Sequence, residues 1–365
     1  MTNFRMMLLS TAAIGLTTAA AVSTSYAADV EKKFTMGGFV NRAIIAGDDG
    51  VSSFTSHTNP GGLAQSRVKL KGEAKSEAMT VQAYIELRTS AGTDSTQFAN
   101  GSSAVSMRHS KITLSNSMGS IIMGHTSHAG ENNIGIDNSG TALGSTMNGS
   151  PYDAVLFKDS STASNADAAG TTVAAAHGAD YSGGRASGIT YATPKFNGFS
   201  GQISNVTKDN QYGIKYGGDY NGVKLTAVYS YSQVGNPATG GVASRDGGGV
   251  GIELASGLNL SSNYRREDRA DNSAADDGDV WSSKIGYKMS GLTDLGGTAV
   301  AVMYKKAENA VTTGDEYKEM SLLVQQSLSD YGTTVYGGFT NMSFDTTASN
   351  FDDINGIWFG ALVNF

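Results

Sequence analysis

Apolar and polar residues alternate along many short segments of this chain. In 67–75 every second residue is charged, and the residues between are apolar or small. The same alternation runs through 81–88, 223–229 and 281–288. A period of two places successive side chains on opposite faces of a strand, so that one face meets an apolar medium and the other meets water. The pattern predicts strands rather than helices.

Applied to the whole chain, the alternation predicts about sixteen strands, with boundaries uncertain by about 2–4 residues. The predicted strands are 34–46, 63–75, 78–90, 103–116, 119–128, 184–194, 198–206, 209–219, 222–234, 246–256, 258–268, 278–290, 295–307, 315–328, 331–343 and 354–365. Most of them have the roughly 9–11 residues that a tilted strand needs to cross a bilayer, or slightly more.

The connections between these predicted strands alternate in length. The tight turns fall at 76–77, 117–118, 194–197, 220–221, 256–257 and 329–330. The longer, polar connections are 47–62, 91–102, 129–183, 235–245, 269–277, 308–314 and 344–353. The connection at 207–208 is an exception, because it is short where a long one is expected. Long loops on one side and short turns on the other are typical of outer-membrane barrels. We therefore expect an all-β fold, namely a transmembrane antiparallel β-barrel.

The first 27 residues have the three parts of a secretory signal peptide. Arg5 supplies the positive charge, 6–22 is the apolar stretch, and 25–27 places small residues at the cleavage site. This pattern predicts cleavage after Ala27 and a barrel domain over 28–365. No later segment is a run of 18 apolar residues, so a mature chain in a membrane must enter it as strands.

Composition excludes several other classes of protein. The absence of Cys excludes a disulfide scaffold and thiolate metal sites. The formal net charge of −7 makes nucleic acid an unsuitable partner, because phosphate binding requires clustered Lys and Arg. Charged residues make up only 16% of the chain, whereas soluble proteins have roughly 25%. Low charge fits a barrel whose outer band excludes Lys and Asp and whose lumen is lined by Ser, Thr, Asn and Gly.

The C-terminal segment 357–365 alternates and ends in the aromatic residue Phe365, and it resembles the closing strand of Gram-negative outer-membrane barrels. The segment 191–200 resembles the turn after the sixth strand of general diffusion porins. The chain as a whole is most similar to sixteen-stranded porins of the alphaproteobacterial type. This resemblance implies a homotrimer in outer-membrane lipid, with one water-filled pore per subunit for ions and small hydrophilic solutes. It also implies that Phe365 is an assembly signal.

The resemblance further implies that the third long connection, 129–183, folds into the barrel as a constriction loop. In the family, acidic residues of this loop face basic residues of the wall. The candidate acidic residues are Glu131, Asp137, Asp153 and Asp159. The candidate basic residues are Arg42, Arg67, Lys69, Lys71 and Arg88. Alternation supports an inward position for those at 67–71, and Arg88 is expected near a rim. The portion 160–182 is longer than a compact constriction loop requires, and is a candidate insertion.

Several other functions remain open at this point. A substrate-specific channel or a purely structural barrel would have the same strand pattern. A barrel enzyme is disfavoured, because no G-x-S-x-G nucleophile motif is present and no catalytic residue is expected. A secreted β-rich adhesin should show a fixed repeat period, and none is found. We expect no cofactor, although the acidic loop segments 48–49, 276–279 and 352–353 have the oxygen-rich character that suits calcium.

Overall fold

The computed structural model describes residues 29–58, 64–90, 104–146, 148–159, 167–178, 184–207, 209–235, 237, 241–270, 276–349 and 351–365. The predicted signal peptide, 1–27, lies outside these residues. No helix in the described ranges is both long and apolar enough to cross a membrane.

Strands dominate the fold. In chain order they are β1 (Glu31–Asp48), β2 (Ser53–Thr58), β3 (Arg67–Lys75), β4 (Thr80–Ser90), β5 (Ala104–Asn116), β6 (Gly119–Thr126), β7 (Leu156–Lys158), β8 (Asp167–Thr172), β9 (Ala186–Ala192), β10 (Phe199–Val206), β11 (Asp209–Tyr220), β12 (Val223–Gln233), β13 (Val242–Glu253), β14 (Leu258–Arg269), β15 (Gly278–Thr293), β16 (Gly296–Glu308), β17 (Glu316–Leu328), β18 (Thr333–Asp345) and β19 (Ile354–Asn364). Two one-turn helices, α1 (Ala129–Asn132) and α2 (Val173–Ala176), lie in the third long connection, and a 3₁₀ turn spans Ser329–Tyr331.

Sixteen of these strands form a closed antiparallel barrel, which confirms the predicted fold class and strand number. Each barrel strand pairs with the next along the chain, and β6 pairs with β9 across the third long connection. The barrel closes where β19 pairs with β1, from Phe39 opposite Asn364 to Asp48 opposite Asn355. The short strand β2 flanks the end of β1, while β7 and β8 pair only with each other.

The strand β13 begins earlier than the sequence predicts. It starts at Val242 rather than at 246, because Arg245 lies opposite Glu267 of β14 and forms an ion pair with it at 3.5 Å. The sequence predicts that the polar segment 242–245, which precedes the glycines at 247–249, belongs to a loop. In the barrel its charged side chains are paired across neighbouring strands, so the ladder continues.

The two faces of the barrel differ as the alternation predicts. On β14, Leu258 and Leu260 are exposed on the outer face, whereas Asn259 and Ser261 are buried on the inner face. Outer apolar side chains meet lipid, and inner polar side chains meet water or the third long connection.

A tight hairpin turn joins β11 to β12. Asn221 and Gly222 both have positive φ angles, 54° and 86°. This is the backbone of a type I′ turn, and Asn-Gly favours it because both residues tolerate the left-handed region. The sequence therefore sets the register of this hairpin locally.

Candidate pore lining and constriction

The inner face of β3, β4 and β5 carries basic side chains in three successive rows. In the upper row, Arg67 lies directly opposite Arg88. In the middle row, Lys69 lies opposite Glu86. In the lower row, Tyr84 stands between Lys71 on β3 and Lys111 on β5. Residues directly opposite each other share one face of the sheet, so all of these side chains point into the barrel. We call these rows the basic wall.

A β-bulge adds a further cation to the basic wall. The register of β4 and β5 shifts between Glu86 and Leu87, so that one residue of β5, Arg108, is left without a directly opposite partner. The side chains of Arg108 and its neighbour His109 both reach Glu86. A bulge lets two consecutive residues take the same face. Arg108 and Lys111 are not among the pore residues that the sequence predicts. The break in alternation at 107–110 indicates the bulge, and the alternation of 111–115 indicates that Lys111 faces inward.

Glu86 is the carboxylate that joins a cation of the upper row, Arg67, to the bulge residue Arg108. It lies 2.7 Å from Arg108 Nε and 3.4 Å from Arg67 Nη1, and it accepts a hydrogen bond from the hydroxyl of Tyr84. Its side chain is only 4% exposed. A charged group this buried needs close partners of opposite charge, and the two arginines supply them.

The structure corrects the expectation for Arg42. This side chain lies on the outer face of β1, between the exposed Val40 and Ile44. The inner face of the same stretch is formed by Phe39, Asn41 and other buried residues. Arg42 therefore does not line the pore. Arg88 faces inward two positions before the end of β4, and its Nε donates a hydrogen bond to Ser106 at 2.8 Å.

The described part of the third long connection lies against the inner face of the barrel, across from the basic wall. Its first part contacts β10 and β11, where the backbone N–H groups of Ala129 and Gly130 donate to Ser204 and Gln211. It then follows β14, where the backbone N–H of Asn138 donates to Ser261. Further on it reaches β19 and β1. We call the described residues of this connection, 129–146, 148–159 and 167–178, the inner loop.

Aromatic side chains hold the second half of the inner loop in an apolar core inside the barrel. The hydroxyl of Tyr152 lies 2.7 Å from the carbonyl oxygen of Ile357 and 2.9 Å from that of Ala46. Phe157 packs on the rings of Tyr317 and Phe344. The other buried members from the inner loop are Val155, Val173 and Ala176. This half of the inner loop is thus fixed to β17–β19 and β1 rather than spanning the lumen freely.

Two of the four candidate acidic residues form ion pairs, and a third is hydrogen-bonded to a histidine. Glu131 pairs with Arg185 at 2.7 Å. Asp137 pairs with Lys284 of β15 at 2.7 Å, beneath the inner loop. Asp153 is buried and accepts from His177 at 2.9 Å. Asp137 thus anchors the inner loop to β15, and Asp153 joins two segments of the inner loop. Asp159 is half-buried and follows β7.

The pKa values of two groups of the inner loop are shifted by these contacts. For Asp137, burial raises the pKa, but the attraction and hydrogen bond of Lys284 outweigh burial, and the net pKa is lowered. For His177, burial and the nearby Lys305 lower the pKa, which favours the neutral imidazole. The pair of Asp137 with Lys284 is therefore a charged anchor at neutral pH.

A second charged anchor lies on β16 and β17, three residues from the long-loop end of each strand. Lys305 and Glu319 face each other at 3.0 Å, and both side chains are fully buried, with 0% exposure. Glu319 also accepts hydrogen bonds from Tyr317 at 3.0 Å, Ser321 at 2.8 Å and the inner-loop residue Ser145 at 3.0 Å. This carboxylate therefore connects the wall to the inner loop.

Below the inner loop, the barrel holds a cavity of about 600 Å³. Its lining includes Gly140 of the inner loop and three charged wall residues, Lys224, Glu253 and Lys288. Glu253 bridges the two lysines at 3.0 and 2.7 Å. This cavity therefore places charged wall side chains near the short-turn end of the barrel.

Among the described residues, no cluster of three or more His, Asp or Glu side chains could hold a metal ion. Calcium bridging by the outer loops stays a prediction.

A closed barrel with an apolar outer face and a charged inner face is an outer-membrane channel protein. The chain belongs to the Gram-negative porin family, whose sequence pattern it matches over residues 10–347. It is thus an integral outer-membrane porin, a channel for passive diffusion. In a comparison with curated proteins, no sequence matched.

Solved porin structures share the fold. An anion-selective porin from Comamonas acidovorans superimposes with a TM-score of 0.60 at 17% identity, covering 92% of this chain and 100% of that one. OmpF of Salmonella typhi gives 0.58 at 16%, covering 92% and 98%. The trimer form of OmpT from Vibrio cholerae gives 0.57 at 11%, covering 92% and 99%.

Proposed function

We propose that permeation is controlled where the inner loop faces the basic wall, and that the channel prefers anions. The observation that carries this proposal is the charge balance of the three rows. Six cations project inward there, and Glu86 is the carboxylate within the rows. The six are Arg67, Lys69, Lys71, Arg88, Arg108 and Lys111. Charge at the narrowest part of a channel sets its selectivity, so an excess of cations favours anions.

The positions of the inner-loop carboxylates support the same preference. Asp137 and Asp153 are held by Lys284 and His177, away from the basic wall. Glu131 lies nearer to the basic wall, because its partner Arg185 immediately precedes β9, which pairs with β6 next to the wall. Its negative charge is balanced by Arg185. The inner loop therefore adds little free negative charge to offset the six cations. Anion selectivity, named for the similar Comamonas porin, fits this arrangement.

We also infer that the protein is a homotrimer with the outer face of β1 at a subunit contact. Arg42 has no ion pair within the described part of the chain, and its neighbours Val40 and Ile44 are exposed apolar residues. Arg facing lipid near the bilayer midplane costs about 2–4 kcal/mol. A subunit contact would remove this side chain from lipid. The trimer form of the Vibrio cholerae protein agrees with this inference.

We also propose that the protein is exported and assembled in the way that its sequence predicts. The segment 1–27 would direct export and be removed. Phe365 would act as the assembly signal, and its accessibility supports that role, because 65% of the residue is exposed. Its backbone exchanges hydrogen bonds of 3.0 and 3.1 Å with Gly38, so the last residue is part of the barrel closure.

Purified protein in a planar lipid bilayer tests the channel and the trimer together. We expect stepwise, ohmic conductance increments, with closures grouped in threes because one trimer inserts as a unit. Heat-denatured protein is the control and should give no steps. The absence of conductance from well-folded protein would contradict the channel, and single independent closures throughout would contradict the trimer.

A further inference from the structure

Among the residues that the structure describes, three cations of the basic wall form no ion pair with a carboxylate. Within the described ranges, Arg67 and Arg108 pair with Glu86, and Lys71 pairs with Glu73 at 2.8 Å. No such ion pair is found for the other three cations, which are Arg88, Lys69 and Lys111.

Aromatic and hydroxyl groups, rather than acids, hold these three side chains. Lys69 Nζ lies 5.2 Å from the centre of the Phe39 ring. Lys111 Nζ lies 5.7 Å from the centre of the Tyr84 ring. A ring face orients a cation without neutralising its charge. Each side chain is half-buried and so keeps some access to the lumen.

The three cations occupy successive rows of the wall. Arg88 is in the upper row, Lys69 in the middle row and Lys111 in the lower row. Rows on one face of a strand are two residues apart, which is about 7 Å along the strand. The upper row is nearest the long loops and the lower row nearest the short turns. The cations therefore form a descending series along one side of the lumen.

This spacing suits a small anion with more than one negative oxygen. An ammonium group binds an oxyanion as a compact point charge, and a guanidinium binds it through paired N–H donors. Several adjacent weak sites let an ion enter and still leave, which is the requirement for conduction. A divalent ion gains twice as much from each cation as chloride does.

We propose that Arg88, Lys69 and Lys111 form a series of weak binding sites that selects small divalent oxyanions, of the phosphate or dicarboxylate type, over chloride. This inference rests on the proposed anion preference and adds a substrate class to it. The inference concerns only the three cations without an ion pair, because Arg67, Arg108 and Lys71 have carboxylate partners. It therefore differs from the anion preference, which follows from the total charge of all six cations.

The test is made in planar bilayers with the full-length, mature protein at low ionic strength. Chloride current is recorded while hydrogen phosphate, or in a second arm succinate, is added at constant ionic strength above pH 7.5. We expect a partial block of the chloride current that saturates as the divalent anion is raised. In the variant K69Q/K111Q the apparent affinity of the block should fall by at least about sevenfold, which is the contribution of one lysine at ~7 Å in water to a divalent anion, at about 2.7-fold for each of its two charges.

K195Q is the matched control, because Lys195 lies exposed in the short turn before β10 and should leave the block unchanged. Block by phosphate alone would restrict the site to phosphate, and block by both anions would support the shared chemistry. A chloride current that stays linear and unblocked in a channel that still prefers anions would overturn this inference alone. A channel that prefers cations would overturn the proposed selectivity as well.

Discussion

Reversing three charges of the basic wall should convert the channel from anion-preferring to cation-preferring. In the variant R67E/K69E/K71E, three inward cations on β3 become carboxylates in successive rows. A unit charge ~7 Å from a permeating ion contributes about 0.6 kcal/mol in water. We therefore expect the anion-to-cation permeability ratio to fall at least about tenfold at low salt, because six units of charge change within that distance. The measurement is the zero-current potential across a potassium chloride gradient.

Two single variants provide a matched comparison for this result. K69E changes a charge on the basic wall, and K195E changes a charge in an exposed short turn. The first should move the zero-current potential toward that of potassium, and the second should leave it unchanged. Barrel folding of each variant is checked by heat-dependent gel mobility. A properly folded triple variant with the original potential would contradict the placement of the basic wall at the selective part of the pore.

Removing Lys305 should loosen the inner loop and enlarge the channel. K305M leaves Glu319 buried without its cation, and breaking a buried ion pair in this way costs about 3–5 kcal/mol. Because Ser145 of the inner loop donates to the same carboxylate, the cost falls on the contact between the inner loop and the wall. We expect larger and noisier single-channel conductance and a lower temperature for the heat-induced mobility shift.

A second substitution should reverse much of this effect. In K305M/E319Q the uncompensated charge is removed, while an amide oxygen in the place of Oε1 still accepts from Ser145 and Ser321, so conductance and thermal stability should return toward the original values. K306M is the neighbouring control. Lys306 is partly exposed and lies on the other face of β16, where an exposed ion pair contributes about 0–1 kcal/mol. Equal effects of K305M and K306M would contradict the role of the buried pair.

Alternation predicted the part of the basic wall on β3 and β4, because polar side chains of these strands face the lumen and apolar side chains face lipid. On β3, charged residues face the lumen, while Val68 and Leu70 face outward. The inner face of β1 breaks this rule. Phe39, Ala43 and Ile45 are buried inside the barrel, and Ile45 and Ala43 belong to the apolar core shared with the inner loop. Polarity alone therefore placed Arg42 on the wrong face.

The anchors of the inner loop could not be predicted from sequence for a different reason. Asp137 and Lys284 are 147 residues apart, and Ser145 and Glu319 are 174 apart. No local pattern pairs them, because their contact depends on the path of the inner loop around the barrel. Lys305 and Lys306 are also adjacent and chemically alike, so only the register of β16 and β17 shows which of them is buried opposite Glu319.

The sign of the wild-type zero-current potential tests the central claim most directly. The purified protein is placed in a neutral lipid bilayer between dilute and concentrated potassium chloride, so that surface charge of the lipid adds no bias. The basic wall predicts a potential with the sign of chloride selectivity, and the preference should weaken as salt rises and screens the cations. A potential with the sign of potassium selectivity would contradict the proposal that these cations control permeation.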